Sequence, residues 1–424
     1  MVKASIFAGS IHGCMIDPAK TISFDNTENA FAYKSKGSLR KANLLFSSMS
    51  HSLLVDWGIR VTSWAIRAGL PINGIIRKTI FEQFVGGETL EETAGVAEKL
   101  GQYGVKVILD YGVEGGESNE PAFDHACDEF IRVINYAATQ SNIPFISIKV
   151  TGISRVGLLE KLDRSVGEHS GTLVSRFDTA LSALSQTEQE EWKRVHDRMY
   201  KICALASEKH VGVLVDAEET WIQDPVDVLT MRMMDRFNKE RPVVYNTAQL
   251  YRHDRLAFVK DSIEAAMQRG FVLGIKLVRG AYMEKERARA AEMGYPSPIQ
   301  SDKESTDRDY DEAIRLSVSH IEHVAFIVAS HNEQSNLLTT QLLDQHSLSH
   351  QHPHVHFSQL YGMSDNISFN LAKADYSVSK YLPFGPIRDV VPYLMRRAQE
   401  NTSVAGQTGR ELALIRKELQ RRSR

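Results

Sequence analysis

The sequence predicts a (β/α)8 barrel with an N-terminal helical arm and a last helix over the barrel mouth. Three observations predict it. Eight short apolar runs of β type alternate with eight segments of helical period, the pattern of buried parallel strands joined by crossover helices. Eight is the number at which such a sheet closes on itself. Most of the runs also end in a polar or charged residue, at the end where a barrel carries its chemistry. A doubly wound open sheet accommodates the same alternation and is the rival architecture.

Composition sets the frame. The 424 residues are 42% apolar and 24% charged, ordinary for a globular chain, and a net charge of -3 gives no case for nucleic-acid binding. Cys14, Cys127 and Cys203 are far apart and form no CxxC pair, which fits a reducing compartment. Residues 1–25 read as a poorly ordered leader. Their apolar run, Ala4 to Ala8, is too short for a signal-peptide core. No stretch of about 18 uncharged apolar residues predicts a transmembrane helix, so the expected setting is cytoplasmic.

In chain order, residues 26–85 form the predicted helical arm. Phe31, Leu45, Phe46, Met49, Leu53, Leu54, Trp57 and Ile59 fill more than one helix face, Gly69-Leu70-Pro71 breaks the pattern, and Ile75 to Phe84 resumes it. The barrel spans 86–405, beginning with an amphipathic helix from Glu88 to Tyr103. The strand runs are 105–111, 145–150, 211–215, 243–249, 271–278, 324–329, 355–360 and 376–380. Glycine pairs or polar turns such as Gly115-Gly116 stop them. Helical segments follow at 123–138, 189–209, 226–239, 254–269, 307–322, 333–345, 365–374 and 389–400, and a longer insert occupies 153–188. Leu382 to Pro386 reads as an apolar turn. The tail, 406–424, is a basic amphipathic helix in which Leu412, Ile415 and Leu419 oppose Arg416, Lys417, Arg421 and Arg422. It either touches anionic lipid or frays in solvent.

The strand ends single out Asp110, Lys149, Asp216, Gln249, Lys276, Arg279, His331, Gln359 and Tyr381. A buried strand carries such groups only where they have partners. Lys149 fits either a Schiff-base lysine or a cationic donor. His346, His350, His352, His354 and His356 suggest a metal site by composition, but they span a helix end, a loop and the start of the seventh strand, at the end opposite the chemistry, and read as a solvated loop. No HExxH, paired-carboxylate, GxGxxG or Walker A pattern is present, so no metal site is expected.

The last helix holds a second cluster. Tyr393, Arg396, Arg397 and Glu400 are spaced i, i+3, i+4 and i+7 and share one face. Two arginines present forks of donors that match a carboxylate. An i, i+4 ion pair on a solvated face is the other reading of the same spacing.

With those residues in place, the chain from about Phe81 to Val404 resembles the proline dehydrogenase family. FVGGETLEE, LDYGVEG, SIKVTG, DAEET, NTAQLY, KLVRGAYMEKE, ASHN, QLYGM and YLPFGP…YLMRRAQENTSV occur in the family's order. The wording is closer to the stand-alone branch. The long bifunctional bacterial enzymes carry an arginine where Lys276 stands and a lysine where Arg279 stands, and 424 residues leave no room for their aldehyde dehydrogenase partner. The resemblance implies non-covalent FAD at the strand C-termini and oxidation of L-proline to 1-pyrroline-5-carboxylate. It also implies electron transfer to membrane quinone, peripheral contact with the inner membrane, and a separate 1-pyrroline-5-carboxylate dehydrogenase downstream.

By the same resemblance, Arg396, Arg397 and Lys149 bind the proline carboxylate. Tyr381, Tyr393 and Leu360 wall the ring, with Ala281 and Tyr282 near it. Asp216, Gln249, Lys276, Val278, Ala281, His331 and Asn332 contact the flavin, and Glu400 pairs with an arginine and reaches the flavin region. The lysine at 276 keeps a cation there but loses the arginine fork. Tyr381, bulky beside ring C4, is expected to favour proline over 4-hydroxyproline, since hydroxyproline-preferring relatives carry a smaller residue there. A Schiff-base aldolase using Lys149 and a catalytically silent ligand-binding barrel are the alternatives.

Overall fold

The computed structural model describes residues 22–49, 57–58, 60–61, 73–112, 119–403 and 405–424, with the side chains of 73, 75, 399–403 and 405–408 left aside. The leader to residue 21, the break at Gly69-Leu70-Pro71, the Gly115-Gly116 stop and the apolar residues Leu53, Leu54 and Ile59 of the arm lie outside the described residues.

Eight parallel strands close into one barrel in sequence order. They are β1 Lys106–Tyr111, β2 Phe145–Ile148, β3 Gly212–Val215, β4 Val244–Gln249, β5 Leu273–Val278, β6 Val324–Ala329, β7 Val355–Leu360 and β8 Val378–Phe384. All eight runs read from the sequence are strands, so the open-sheet rival falls. Closure comes from β8 pairing with β1, from Lys106 opposite Ser379 to Tyr111 opposite Phe384. The stretch Leu382 to Phe384, expected as a turn, is therefore strand. Proline is tolerated there because the pairing of β7 with β8 ends at Leu360 opposite Tyr381, and the Pro383 carbonyl accepts the Gly86 N–H at 2.8 Å.

Two apolar layers meet at the sheet. Ile108, Leu214, Tyr245, Ala325 and Ile327 fill the barrel, and the opposite strand faces pack under the helices in the main core. Gly274 is required at its position. A Cβ there would lie 2.2 Å from the Val244 carbonyl and 2.9 Å from the Tyr245 ring, so glycine leaves space for the tyrosine inside the barrel.

The helices start where side chains can accept the orphan N–H groups of a first turn. Thr89 caps Leu90–Gly101 and Asn119 caps Glu120–Ala138. Ser185 and Glu188 form a reciprocal capping box on Gln186–Lys209. The insert contains two helices, Val156–Gly167 and Leu173–Ser182. A further helix, Met283–Met293, lies where none was expected. Only its Glu286 and Ala290 are buried, so no apolar period announces it. Polar contacts hold it instead: Glu286 accepts the Thr220 N–H at 2.7 Å, and Arg289 lies 4.2 Å from the Trp221 ring.

A second core joins the arm to the C-terminus. Phe31, Leu39, Phe46 and Phe84 pack with Val390 and Leu394 of the helix Ile387–Ser403, and with Leu412, Leu414 and Ile415 of the helix Ala405–Arg421. The tail is thus neither frayed nor turned outward. Its apolar stripe, including half-buried Leu419, faces protein. Arg422 donates to the Lys34 and Phe31 carbonyls at 2.6 and 2.7 Å. A helix that spends its apolar side on the arm offers only its charged side to a lipid surface.

Candidate active site

A cleft of about 2530 Å³ opens at the C-terminal ends of the strands. Asp110, Lys149, Asp216, Gln249, Lys276, Arg279, His331 and Tyr381 line it, eight of the nine strand-end residues. Gln359 does not. Side chains alternate along a strand; Ser358 and Leu360 face the cleft, while Gln359 turns to the helix layer and bonds the Ser330 carbonyl at 3.1 Å and the Ser368 hydroxyl at 2.8 Å.

The floor is a buried charge network. Asp216, after β3, accepts from the Lys276 ammonium and from the Tyr381 hydroxyl, the latter at 2.7 Å. Lys149 lies 3.5 Å from Asp216 and 3.3 Å from Asp110. Burial alone would raise the Asp216 carboxyl, but Lys276 and Lys149 outweigh it and hold it below the usual carboxylate range. Ser147, on the inward face of β2, lies 3.0 Å from the Tyr381 hydroxyl. Since that hydroxyl donates to Asp216, serine supplies the second hydrogen. Sequence reasoning missed Ser147; its signal is a polar residue at an inward position of FISIK.

Glu218 was missed as well. Burial pushes it up to about 7, against the pull of Lys149 and of the Thr151 hydroxyl, which lies 2.8 and 2.9 Å from its two oxygens. Gln249 donates to the Glu218 carbonyl at 2.7 Å, so these two shape the wall together. Arg279 bonds Ser330 and Asp307 at 2.7 Å and stacks 4.3 Å from the Tyr310 ring. It holds the β5 and β6 ends in register.

The opposite wall comes from the helix Ile387–Ser403. Tyr393, Arg396 and Arg397 line the same cleft as Leu360, Ala281 and Tyr282. The Arg397 guanidinium lies 5.3 Å from the Tyr393 ring and the Arg396 guanidinium 5.8 Å from the Tyr282 ring. Aromatic faces of this kind fix a guanidinium plane without consuming its donors. Glu400 belongs to this helix, and its side chain lies outside the described residues. Asn332 spends its carbonyl oxygen on the Gln334 and Ser335 N–H groups as a helix cap, which leaves its amide hydrogens for a ligand. Val278 also lines the cleft. In the histidine run, His354 contacts the Ile321 carbonyl at 2.7 Å, and no group of three metal-ligating side chains comes together among the described residues. His356 is not part of a solvated loop but is buried in β7, 2.7 Å from the Ser379 hydroxyl, because its inward strand position carries it into the barrel.

The residues present fit a flavin dinucleotide. The cleft exceeds the roughly 300–1,000 Å³ of a drug-sized pocket, and Lys276 sets a cation beside its floor. Gly280, at φ +135°, brings bare backbone to the wall where a Cβ would meet the Tyr251 ring at 2.5 Å.

Comparison with known proteins extends this geometry. The sequence model of the family described as "Proline dehydrogenase" matches residues 94–410. Proline dehydrogenase 1 of Dictyostelium discoideum, named mitochondrial, is 31% identical over 94% of this chain and 74% of its own length. A hydroxyproline dehydrogenase of Xenopus laevis is 32% identical over 91% of this chain and 84% of its own. Among solved structures, proline utilization A from Bdellovibrio bacteriovorus, inactivated by N-propargylglycine, superimposes with a TM-score of 0.67 at 19% identity. That superposition covers 90% of this chain and 38% of that one, so the chain spans about two-fifths of that protein's length.

Proposed function

We propose how this cleft works from one premise: the chain belongs to the proline dehydrogenase family. It oxidises proline. We assign residues 26–85 to a supporting arm, 86–405 to the catalytic barrel and 406–424 to a C-terminal helix that locks the two together. The observation that carries the reading is the pairing, across one cleft, of an arginine pair on a helix with the Lys149–Asp216–Lys276–Tyr381 network on the strand ends.

Arg396 and Arg397 clamp the substrate carboxylate, and Lys149 adds a third cation. Tyr381, Tyr393 and Leu360 wall the pyrrolidine ring and hold it in one register. Orientation of this kind is the protein's main contribution when a bound cofactor does the redox chemistry. The cations also disfavour the ammonium form of the substrate, so its nitrogen loses a proton to solvent more readily. FAD, held by Asp216, Gln249, Lys276, Val278, Ala281, His331 and Asn332, supplies the hydride acceptor that no side chain offers. Asp216 fixes Lys276, whose ammonium would favour negative charge on a flavin bound there. Lys149, set between two carboxylates, acts as a charged donor rather than as an imine-forming nucleophile, which argues against the aldolase alternative.

Quinone is the proposed electron acceptor, and a separate dehydrogenase consumes the 1-pyrroline-5-carboxylate. No helix among the described residues is long and apolar enough to cross a membrane. We place the enzyme in the cytoplasm, peripheral to the inner membrane that carries the quinone, although two relatives are named mitochondrial. The test is an absorbance spectrum of the purified protein before and after anaerobic L-proline. Flavin bands that bleach are expected. Bands that ignore proline but bleach with 4-hydroxyproline move the substrate, and no flavin after added FAD overturns the reading.

A further inference from the structure

Two adjacent residues of the C-terminal helix reach the cleft, and neither belongs to the carboxylate clamp. Arg410 bonds Glu333 at 2.9 Å and Asp25 at 2.6 Å. Glu411, only 6% exposed, accepts the backbone N–H of Ser364 at 3.0 Å. Glu333 opens the helix that follows His331 and Asn332, and Ser364 precedes the helix Asp365–Lys373. The pair therefore grips both segments that flank His331 on the cleft wall.

Ser364 is unusual at its position. A serine before a helix ordinarily accepts an N–H of the first turn. Ser364 makes no such bond, and its backbone is left-handed, φ 50° and ψ 43°, a conformation that a non-glycine residue holds only when its surroundings impose it. Its hydroxyl instead meets His331 Nδ1 at 2.9 Å. Burial and the neighbouring Asp365 push the Glu411 carboxyl up to about 7, but its Oε2 accepts the Ser364 N–H in either protonation state, and that bond holds the turn. The turn in turn aims the hydroxyl. His331 is buried, and burial, with Lys380, Arg397 and Arg279 nearby, holds it down to about 3, so its ring is neutral. With Nδ1 engaged by the hydroxyl, Nε2 is the ring nitrogen available to a ligand in the cleft.

We propose that Glu411 is a positioning residue for the cofactor site: through Ser364 it sets the orientation of the His331 ring. This rests on the flavin reading above, since His331 is taken as a flavin contact. The charged groups that face Glu411 are Asp365, Lys34 and Lys380. Lys34 and Lys380 bind Asp365 at 3.1 and 2.9 Å, and the Tyr33 hydroxyl donates to it at 2.8 Å. Arm, strand β8 and C-terminal helix thus converge on the turn that carries Ser364.

The test uses the full chain labelled with 15N-histidine, together with Glu411→Ala, Glu411→Gln, Ser364→Ala and the double variant E411A/S364A. In protein without added cofactor, the His331 ring-nitrogen signals, assigned by their loss in His331→Gln, are expected to move in Glu411→Ala and in Ser364→Ala. In Glu411→Gln, which keeps an acceptor, they are expected to stay near wild type. With FAD bound, Glu411→Ala and Ser364→Ala are expected to lose roughly tenfold in kcat, the size of one lost hydrogen bond, with the proline KM within about twofold because the carboxylate clamp is untouched. The double variant is expected to match the worse single one, the mark of residues that act through each other. His331 signals that stay put in Ser364→Ala, or losses that multiply in the double variant, overturn the proposal. Should Glu411→Ala not fold, Ser364→Ala and Glu411→Gln decide it by the same signals. A wild type that takes up no FAD defeats the flavin reading alone, because the His331 signals are read without cofactor.

Discussion

At the scale of single residues, the site works by pinning charges that would be costly to bury alone. Arg397 is buried beside Tyr393 and aimed into the cleft. Replacing it by methionine removes a charge-assisted pair worth about 2 kcal/mol, or roughly 30-fold. Steady-state kinetics of Arg397→Met should show most of that loss as a higher proline KM; an unchanged KM would remove Arg397 from the clamp. Tyr381 is held from two sides, by Asp216 and Ser147, so its ring cannot swing away from a bulkier substrate. Tyr381→Ser should raise kcat/KM for 4-hydroxyproline relative to proline by about tenfold or more, the scale of one steric contact in a pocket. Tyr381→Phe keeps the bulk and should keep the preference. A ratio that moves equally in both variants would mean that the hydroxyl, not the ring, discriminates.

At the scale of elements, the C-terminal helix is a structural clasp. Leu412, Leu414 and Ile415 are buried against the arm, at roughly 1.5–3 kcal/mol each. Deleting residues 405–424 should lower Tm by on the order of 10 °C and leave binding to anionic liposomes unchanged. Liposome binding that falls with the deletion while Tm holds would restore the lipid-facing role. The tail's amphipathic period was legible in the sequence, but a period states only that one face is covered. What covers it was not legible, because the arm lies more than 320 residues away. The reverse holds for the helix Met283–Met293, which has almost no apolar face; its contacts to Thr220 and Trp221 are polar and leave no period to read.

At the scale of the whole molecule, buried titratable groups shape the pH dependence of stability. Burial holds His331 and His356 down to about 3, against about 6.5 in an unfolded chain. Their contribution is present above pH 6.5 and is lost as pH falls from there toward 3. Burial raises Asp163 and Glu218 to about 7, against about 4 unfolded. Theirs is present below pH 4 and is lost as pH rises to 7. The two slopes oppose each other between about pH 4 and 6.5. Thermal melts across pH should therefore show Asp163→Asn gaining most over the wild type near pH 8, and His356→Gln gaining most near pH 4. Parallel curves for wild type and both variants would show that these groups do not set the slope.

The sequence by itself determined the barrel, its eight strands and the polar residues at their ends. Strand and helix periods are local, and each run of apolar residues carries its own instruction. It also placed Tyr393, Arg396 and Arg397 on one helix face, since three- and four-residue spacing is all that a shared face requires. Only the tertiary structure decided which of these polar residues meet. Closure of β8 on β1 brings Tyr381 to Asp216, 165 residues apart, and strand parity sends Gln359 away from the cleft while admitting Ser358. Docking of the C-terminal helix Ala405–Arg421 adds Glu411 behind His331. Such pairings depend on how elements pack across the whole chain, where burial makes every charge find a partner, and no short-range pattern records which partner it finds.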